Sequence, residues 1–134
     1  MRRIIVLAAL LGGVCACGSS AASTTPHRIV FGVAGGNLVP YQVTIEPTGR
    51  VRSSGPLRPR VRQLSHAKVL SLSRLVRTGI AAGLKSRLCP GTNPDVGSEF
   101  IQAFSRAVRV HGSCEPRFHR LWDALAQAVG LRFG

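Results

Sequence analysis

The chain has 134 residues, which is enough for a single domain with one hydrophobic core and too few for two such domains. Eighteen lysine and arginine residues stand against five acidic ones, so the formal net charge is +13. A surface of this charge attracts anionic lipid, wall polymer or an acidic protein face, and five acids leave few candidates for general acid–base catalysis.

The first residues contain the three parts of an export signal. Residues 1–3 are cationic, residues 4–14 form an apolar run, and small residues follow. The apolar run is too short to span a bilayer, which takes about 20 residues. We therefore predict a signal peptide over residues 1–16, a flexible tether over 17–26 and a single domain over 27–134. The mature protein is expected to work outside the cytoplasm.

The end of the signal predicts how the protein is attached. The sequence Val-Cys-Ala-Cys that ends at Cys17 resembles a bacterial lipobox, in which the last cysteine is lipidated, and a Gly-Ser-Ser tether follows it. Cys17 is therefore the predicted lipidation site, with the protein held at the outer face of the membrane. Ordinary cleavage near Ala22, where small residues also stand at the right offsets, is the alternative and would give a secreted protein.

The domain opens with three predicted strands. Residues 27–33 and 41–45 alternate between apolar and polar side chains, which predicts two strands with one buried face each. Gly35 and Gly36 mark a tight or irregular turn between them. A Pro/Gly turn then leads to a short third strand over residues 50–53.

Arginines are concentrated in this third strand and in the Pro/Gly-containing loop after it. They predict an anion-binding surface, and the expected ligand is an anionic envelope polymer or a lipid head group. No nucleic acid is expected, because nucleic-acid binders interleave aromatic side chains with arginine and residues 50–62 contain none. The predicted anion-binding residues are Arg50, Arg52, Arg58, Arg60 and Arg62.

The second half of the chain predicts two helices around a strand pair. Ser65 has the character of a helix N-cap, because apolar residues follow it at helical spacing. After a loop over residues 88–97, the pattern predicts strands over 99–104 and 107–111. The last helix has the strongest periodicity in the chain. Its apolar stripe consists of Phe118, Leu121, Trp122, Leu125 and Val129.

This order of elements, β-β-β-α-β-β-α, predicts an α+β fold. Two runs of strands that are each followed by a helix favour an antiparallel sheet of about five strands with both helices packed on one face.

Two cysteines remain for the domain once the signal has been set aside. Cys89 and Cys114 are expected to form a disulfide in an oxidising compartment, worth about 3–4 kcal/mol for a loop of this length. A metal site with His111 and His119 is the alternative, but these spacings match no familiar zinc pattern. We therefore predict a disulfide, with no metal and no cofactor.

Three features together carry a family resemblance. A strand–Gly-Gly–strand unit runs from Val30 to Ile45, Pro94-Asp95 leads into the strand that starts at Glu99, and a helix ends the chain. In this order of elements, over about residues 28–129, the sequence resembles emfourin, a small bacterial inhibitor of thermolysin-like metalloproteases. The resemblance implies that fold and protease inhibition as an activity. The partner-binding positions that follow from it are Gly35, Gly36, Asn37, Pro94 and Asp95.

Motifs of catalysis give little support to an enzyme. Residues 65–68 spell S-x-x-K, but the large scaffold and the third motif of penicillin-binding proteins are missing. Neither H-E-x-x-H nor G-x-S-x-G occurs. We therefore predict a non-catalytic binding module for a protein partner. The alternatives are an electrostatic binder of anionic envelope components and an enzyme of unrecognised type.

Overall fold

The computed structural model of the chain describes residues 25–131, so the predicted signal peptide, Cys17 and Ala22 lie outside the described residues. The described part folds into a mixed sheet of short strands and two helices. In chain order the elements are β1 (Ile29–Ala34), β2 (Tyr41–Ile45), β3 (Val51–Ser54), α1 (His66–Ala81), β4 (Arg87–Leu88), β5 (Ser98–Ala103), β6 (Arg106–His111) and α2 (Pro116–Ala128).

The strands form one six-stranded sheet in the order β3-β2-β1-β5-β6-β4. All neighbours are antiparallel except β4 and β6, which run parallel. The prediction of an α+β fold with a largely antiparallel sheet and two helices is confirmed. The sheet has six strands where the sequence predicted about five, because Arg87 and Leu88, at the start of the predicted loop, pair with the end of β6 and add a short sixth strand.

Both helices pack on one face of the sheet. Ile29 and Phe31 of β1 are fully buried, and they belong to a single core cluster with the apolar sides of α1 and α2. The ring of Phe31 meets that of Trp122 edge-on, with 5.9 Å between centroids, a favourable arrangement for aromatic pairs. Among residues 25–131 no helix covers the opposite, outer face, where Arg52 and Arg109 lie.

The predicted helix signals are confirmed. The Ser65 hydroxyl accepts a hydrogen bond from the Lys68 backbone N–H at 3.2 Å, which caps α1. Pro116 occupies the start of α2, where its missing N–H has no helical partner to lose. The whole predicted stripe of α2, from Phe118 to Val129, is at most 6% exposed.

The hairpin between β5 and β6 turns one residue earlier than the sequence predicted. Phe104 and Ser105 both have positive φ, 53° and 58°, and Arg106 already belongs to β6. Positive φ at both central residues is what a two-residue hairpin turn of this kind requires, and here neither residue is a glycine. The Phe104 ring packs against His27, with centroids 4.5 Å apart, and the Arg77 guanidinium lies 4.7 Å from its centroid. These contacts offset the strain of a bulky residue in this conformation.

Candidate functional site

Two loops meet at one end of the sheet, and we call this surface the two-loop end: residues 35–39, between β1 and β2, and residues 89–97, between β4 and β5. They meet because β1 and β5 are antiparallel neighbours, with Ala34 paired to Ser98. The backbone N–H of Asn37 donates to the carbonyl oxygen of Asp95 at 2.9 Å. The structure therefore brings together the two predicted partner-binding segments.

Gly36 is required at the junction of these loops. Its φ is +63°, and a Cβ there would overlap the carbonyl oxygen of Asp95 and come within 2.7 Å of the Val96 carbonyl carbon. Gly35 also has a positive φ, +80°, but a Cβ there would meet nothing within 4 Å. At this position only glycine, which has no Cβ, allows the backbones of the two loops to approach so closely.

The second loop is tied to itself and to the sheet. The Asn93 side-chain oxygen accepts the Asp95 N–H at 2.9 Å, a turn typical of asparagine. The Nε2–H of His111 donates to the Asn93 carbonyl oxygen across 3.2 Å, and Nδ1 is hydrogen-bonded to the Ser98 hydroxyl at 3.1 Å. Pro94, the remaining predicted residue of this loop, lies exposed at a groove shared with Leu88 and His111.

The predicted disulfide is confirmed and closes the base of the second loop. Cys89 and Cys114 are bonded, with 5.6 Å between their Cα atoms. The Cys89 N–H donates to the carbonyl oxygen of His111 at 2.9 Å, which fixes the same point to β6. Among residues 25–131 no group of three or more His, Cys, Asp or Glu side chains converges to hold a metal ion.

Apolar side chains are exposed on the two-loop end. Leu38 is 55% exposed, Val39 69% and Val96 46%. In the part of the chain that the structure describes, the other large apolar side chains exposed to this degree are Leu75 on α1 and Leu88 on β4. Three of five therefore lie on one surface, the pattern of an interaction site rather than of scattered surface residues.

A cleft of about 660 Å³ lies beneath the second loop, beside the disulfide. Glu99 and His119 line it and are hydrogen-bonded, Oε2 to Nδ1, at 2.9 Å. The other ring nitrogen, Nε2, donates to the carbonyl oxygen of Gly112 at 3.1 Å. Because both nitrogens of His119 are engaged inside the fold, this pair fastens the segment after β6 and has no ring nitrogen left to act as a base.

The surroundings of this pair shift the pKa of Glu99 in opposite directions. Burial raises the pKa of the Glu99 carboxyl above its ordinary value of 4.5, the neighbouring His119 lowers it, and the charge of Asp123 raises it again. Burial and the charge of Glu99 raise the pKa of Tyr41 to about 12, which keeps its phenol neutral. The sequence did not indicate this cluster, because its members come from β2, β5 and α2.

The predicted anion-binding arginines divide into two groups. Four of them, all except Arg60, line one concavity of about 400 Å³ beside β3. Arg60 lies instead against Gly130 at the end of α2, where a Cβ on the glycine would be 3.1 Å from the Arg60 Cβ. The four arginines that share the concavity are Arg50, Arg52, Arg58 and Arg62.

Comparison with known proteins assigns no family. No protein-family model matches the chain, and searches of curated proteins and of solved structures found no match. Neither helix between residues 25 and 131 is long and apolar enough to cross a membrane. The function has to be inferred from the geometry and charge of the chain itself.

Proposed function

We propose that this protein is an exported, lipid-anchored, non-catalytic binding module that holds a protein partner against its two-loop end. One observation carries the proposal: two loops far apart in sequence are locked together and present Leu38, Val39 and Val96 to solvent. Full burial of one such side chain is worth about 1.5–3 kcal/mol, so three of them can anchor a partner.

Rigidity is the second support for this function. The disulfide, the Asn37–Asp95 hydrogen bond and the His111–Asn93 hydrogen bond fix both loops before any partner arrives. A surface that is already ordered loses less conformational entropy on binding, which leaves more of the contact energy as affinity. Loops held on a rigid scaffold are also the usual place for recognition.

A binding role without catalysis agrees with the chemistry of the cleft. Its one histidine, His119, uses both ring nitrogens within the fold, and its carboxylate, Glu99, is hydrogen-bonded to that ring. Such a pair is suited to holding backbone in place. We therefore assign Glu99 and His119 a structural role under the two-loop end.

Protease inhibition is the narrower form of the proposal. The resemblance to emfourin supports it, as does a pinned loop surface with projecting apolar side chains, since protease inhibitors change little in backbone on binding. Titration of the domain against a thermolysin-like metalloprotease tests it. We expect loss of activity at equimolar ratio, which Leu38→Asp should relieve, whereas undiminished protease activity would remove this narrower function.

Export and anchoring rest on the signal sequence and on the disulfide, which is compatible with an oxidising, extracytoplasmic location. Cys17→Ala should move the protein from the membrane fraction to the soluble one, and mass spectrometry should find acyl groups on Cys17 of the wild type. An unmodified N-terminus near Ala22 would show plain secretion instead.

Site-specific photo-crosslinking in the native envelope tests the binding surface. A photoreactive residue at Leu38 or at Val96 should give the same crosslinked protein species. The matched control is Leu75, which is 45% exposed but lies on α1. Equal crosslinking from all three positions, or none from Leu38 and Val96, would contradict the two-loop end as the partner surface.

A further inference from the structure

We propose that a phosphate group binds in the concavity beside β3, held by the guanidinium groups of Arg50, Arg52, Arg58 and Arg62. This site is separate from the two-loop end and does not depend on the protein partner proposed for that end. Its lining consists of the four arginines with Val51 and Ser53, and no acidic residue takes part.

The backbone around β3 places these arginines together. Val51 points into the core and is 4% exposed, so Arg50 and Arg52 on either side of it point outwards. The Val51 N–H donates to the carbonyl oxygen of Arg62 at 2.9 Å, and Arg50 forms an isolated bridge with Gln63. The returning loop thus runs along the edge of β3, which brings its arginines to those of the strand.

The concavity holds positive charge that the described part of the protein does not neutralise. Within residues 25–131 the carboxylates that form ion pairs are Glu99 and Glu115, and neither lines this concavity. Four like charges around one hollow repel each other and raise the local potential. An anion bound between them removes that repulsion, so the arrangement favours an anionic ligand.

The donors of the site fit phosphate better than carboxylate. Each guanidinium offers five N–H donors in a planar fork, whereas a carboxylate has two oxygens to receive them. A phosphate group has more acceptor oxygens and up to two charges, so several forks can bind it at once. The phosphate can belong to a free compound or to a phospholipid head group, and the chemistry of recognition is the same.

Arg60 supplies a matched control in the same loop. The Val61 N–H donates to the carbonyl oxygen of Val129 at 3.1 Å, which holds this part of the loop against the end of α2. Arg60 therefore lies away from the concavity, although it stands midway between Arg58 and Arg62 in sequence. Replacing it removes the same charge without touching the proposed site.

The experiment compares two double variants of equal net charge in the full chain carrying Cys17→Ala. R58Q/R62Q removes two guanidiniums from the concavity, and R60Q/R120Q removes two exposed ones elsewhere. Calorimetry measures the binding of pyrophosphate, which stands for a free phosphate compound. Co-sedimentation measures binding to phosphatidylglycerol vesicles, which stand for a lipid head group, with phosphatidylcholine vesicles as the control. We expect R58Q/R62Q to weaken binding by about tenfold or more, because it removes two guanidinium groups that would donate charge-assisted hydrogen bonds to the phosphate. R60Q/R120Q should change it by less than about threefold.

Each outcome decides the proposal. If R58Q/R62Q loses binding selectively to pyrophosphate and not to vesicles, the ligand is a free phosphate compound. If it loses binding selectively to phosphatidylglycerol vesicles and not to pyrophosphate, the ligand is a lipid head group. Equal losses in both double variants, or no binding of either probe by the parent chain, would overturn the site. If R58Q/R62Q does not fold, R58K/R62K serves instead. It keeps the charge but loses the fork, so selective weakening again supports the site and unchanged binding overturns it.

Discussion

The two-loop end and the arginine concavity are both surfaces made by loops, but they are held in opposite ways. The first is closed by a disulfide and by hydrogen bonds to neighbouring strands, and it exposes apolar side chains. The second is held by backbone hydrogen bonds, from Val51 to Arg62, from Leu64 to Gly49 and from Val61 to Val129, and it exposes like charges. One surface is stabilised by its own contacts, whereas the other contains repulsion that the fold tolerates.

This difference separates recognition by shape from recognition by charge. Contacts at the two-loop end depend on apolar area and fixed geometry, so salt should affect them little. Binding in the arginine concavity depends on Coulombic attraction, which is screened over about 8 Å at physiological ionic strength. Changes that disturb the first surface should therefore cost stability, and changes that neutralise the second should not.

Loss of the disulfide should have the largest effect. Cys114→Ser is expected to lower the free energy of unfolding by about 2–5 kcal/mol, because it frees the base of the second loop. Denaturant unfolding measures this, and hydrogen exchange should increase in residues 89–97 more than in 50–62. Ser113→Ala, at the exposed neighbouring position, is the control and should change stability little. Two free thiols in protein purified without reductant from its native host would contradict the bond.

The paired glycines test whether contact between the loops matters. Gly35→Ala should cost about 1–2 kcal/mol from positive φ alone. Gly36→Ala adds overlap with the backbone of Asp95, expected to cost a further 1–3 kcal/mol or so, and should separate the loops. Thermal unfolding measures the loss of stability, and crosslinking from Val96 to the partner measures whether the loops have separated. Equal stability of the two variants would show that the close approach at Gly36 is unimportant.

Stability should decrease with pH where Glu99 titrates. Because its pKa is raised in the folded state, the native protein holds more protons than the unfolded chain above pH 4.5. The contribution of this group is fully present below 4.5 and is lost as pH rises through the raised pKa. Unfolding at a series of pH values should show this decrease in the wild type, with a flatter profile for Glu99→Gln. Parallel profiles for the two proteins would exclude Glu99 as the source.

Neutralising the arginine concavity should have the smallest effect and the opposite sign. R58Q/R62Q is expected to give a small rise in the thermal midpoint at low salt, because it removes repulsion, and the rise should vanish in about 1 M salt, where the screening length is about 3 Å. R60Q should leave the midpoint unchanged. A fall in the midpoint for R58Q/R62Q at low salt would show that these side chains stabilise the fold.

The features that sequence predicted correctly are local ones. The stripe of α2 and the Ser65 cap follow from spacing within one turn or two of helix, so they need no knowledge of the rest of the fold. β4 has only two residues, both exposed, and exists because β6 lies beside it. No periodicity can reveal such a strand.

The candidate sites are formed by contacts between segments distant in sequence, which spacing within one segment cannot predict. The resemblance predicts Gly36 and Asp95 as partner-binding positions, yet their contact depends on the register between β1 and β5, which the sequence does not reveal. The exposed pair Leu38-Val39 was missed, although two apolar residues in a predicted turn are an available signal. The sequence predicts that Arg60 shares an anion-binding surface with Arg58 and Arg62. In the structure, the hydrogen bond from Val61 to Val129 holds Arg60 away from them.

The sheet order has a consequence for how the chain matures. β1 and β5 lie side by side at the centre of the sheet, although about half of the chain separates them. During synthesis β1 has β2 as its only strand neighbour until Ala103 has left the ribosome, and two further elements are still missing then. Pairing over such a distance in sequence is slow to form. The central pair of the sheet can therefore form only late in synthesis, when β6 and α2 are the elements still to be made.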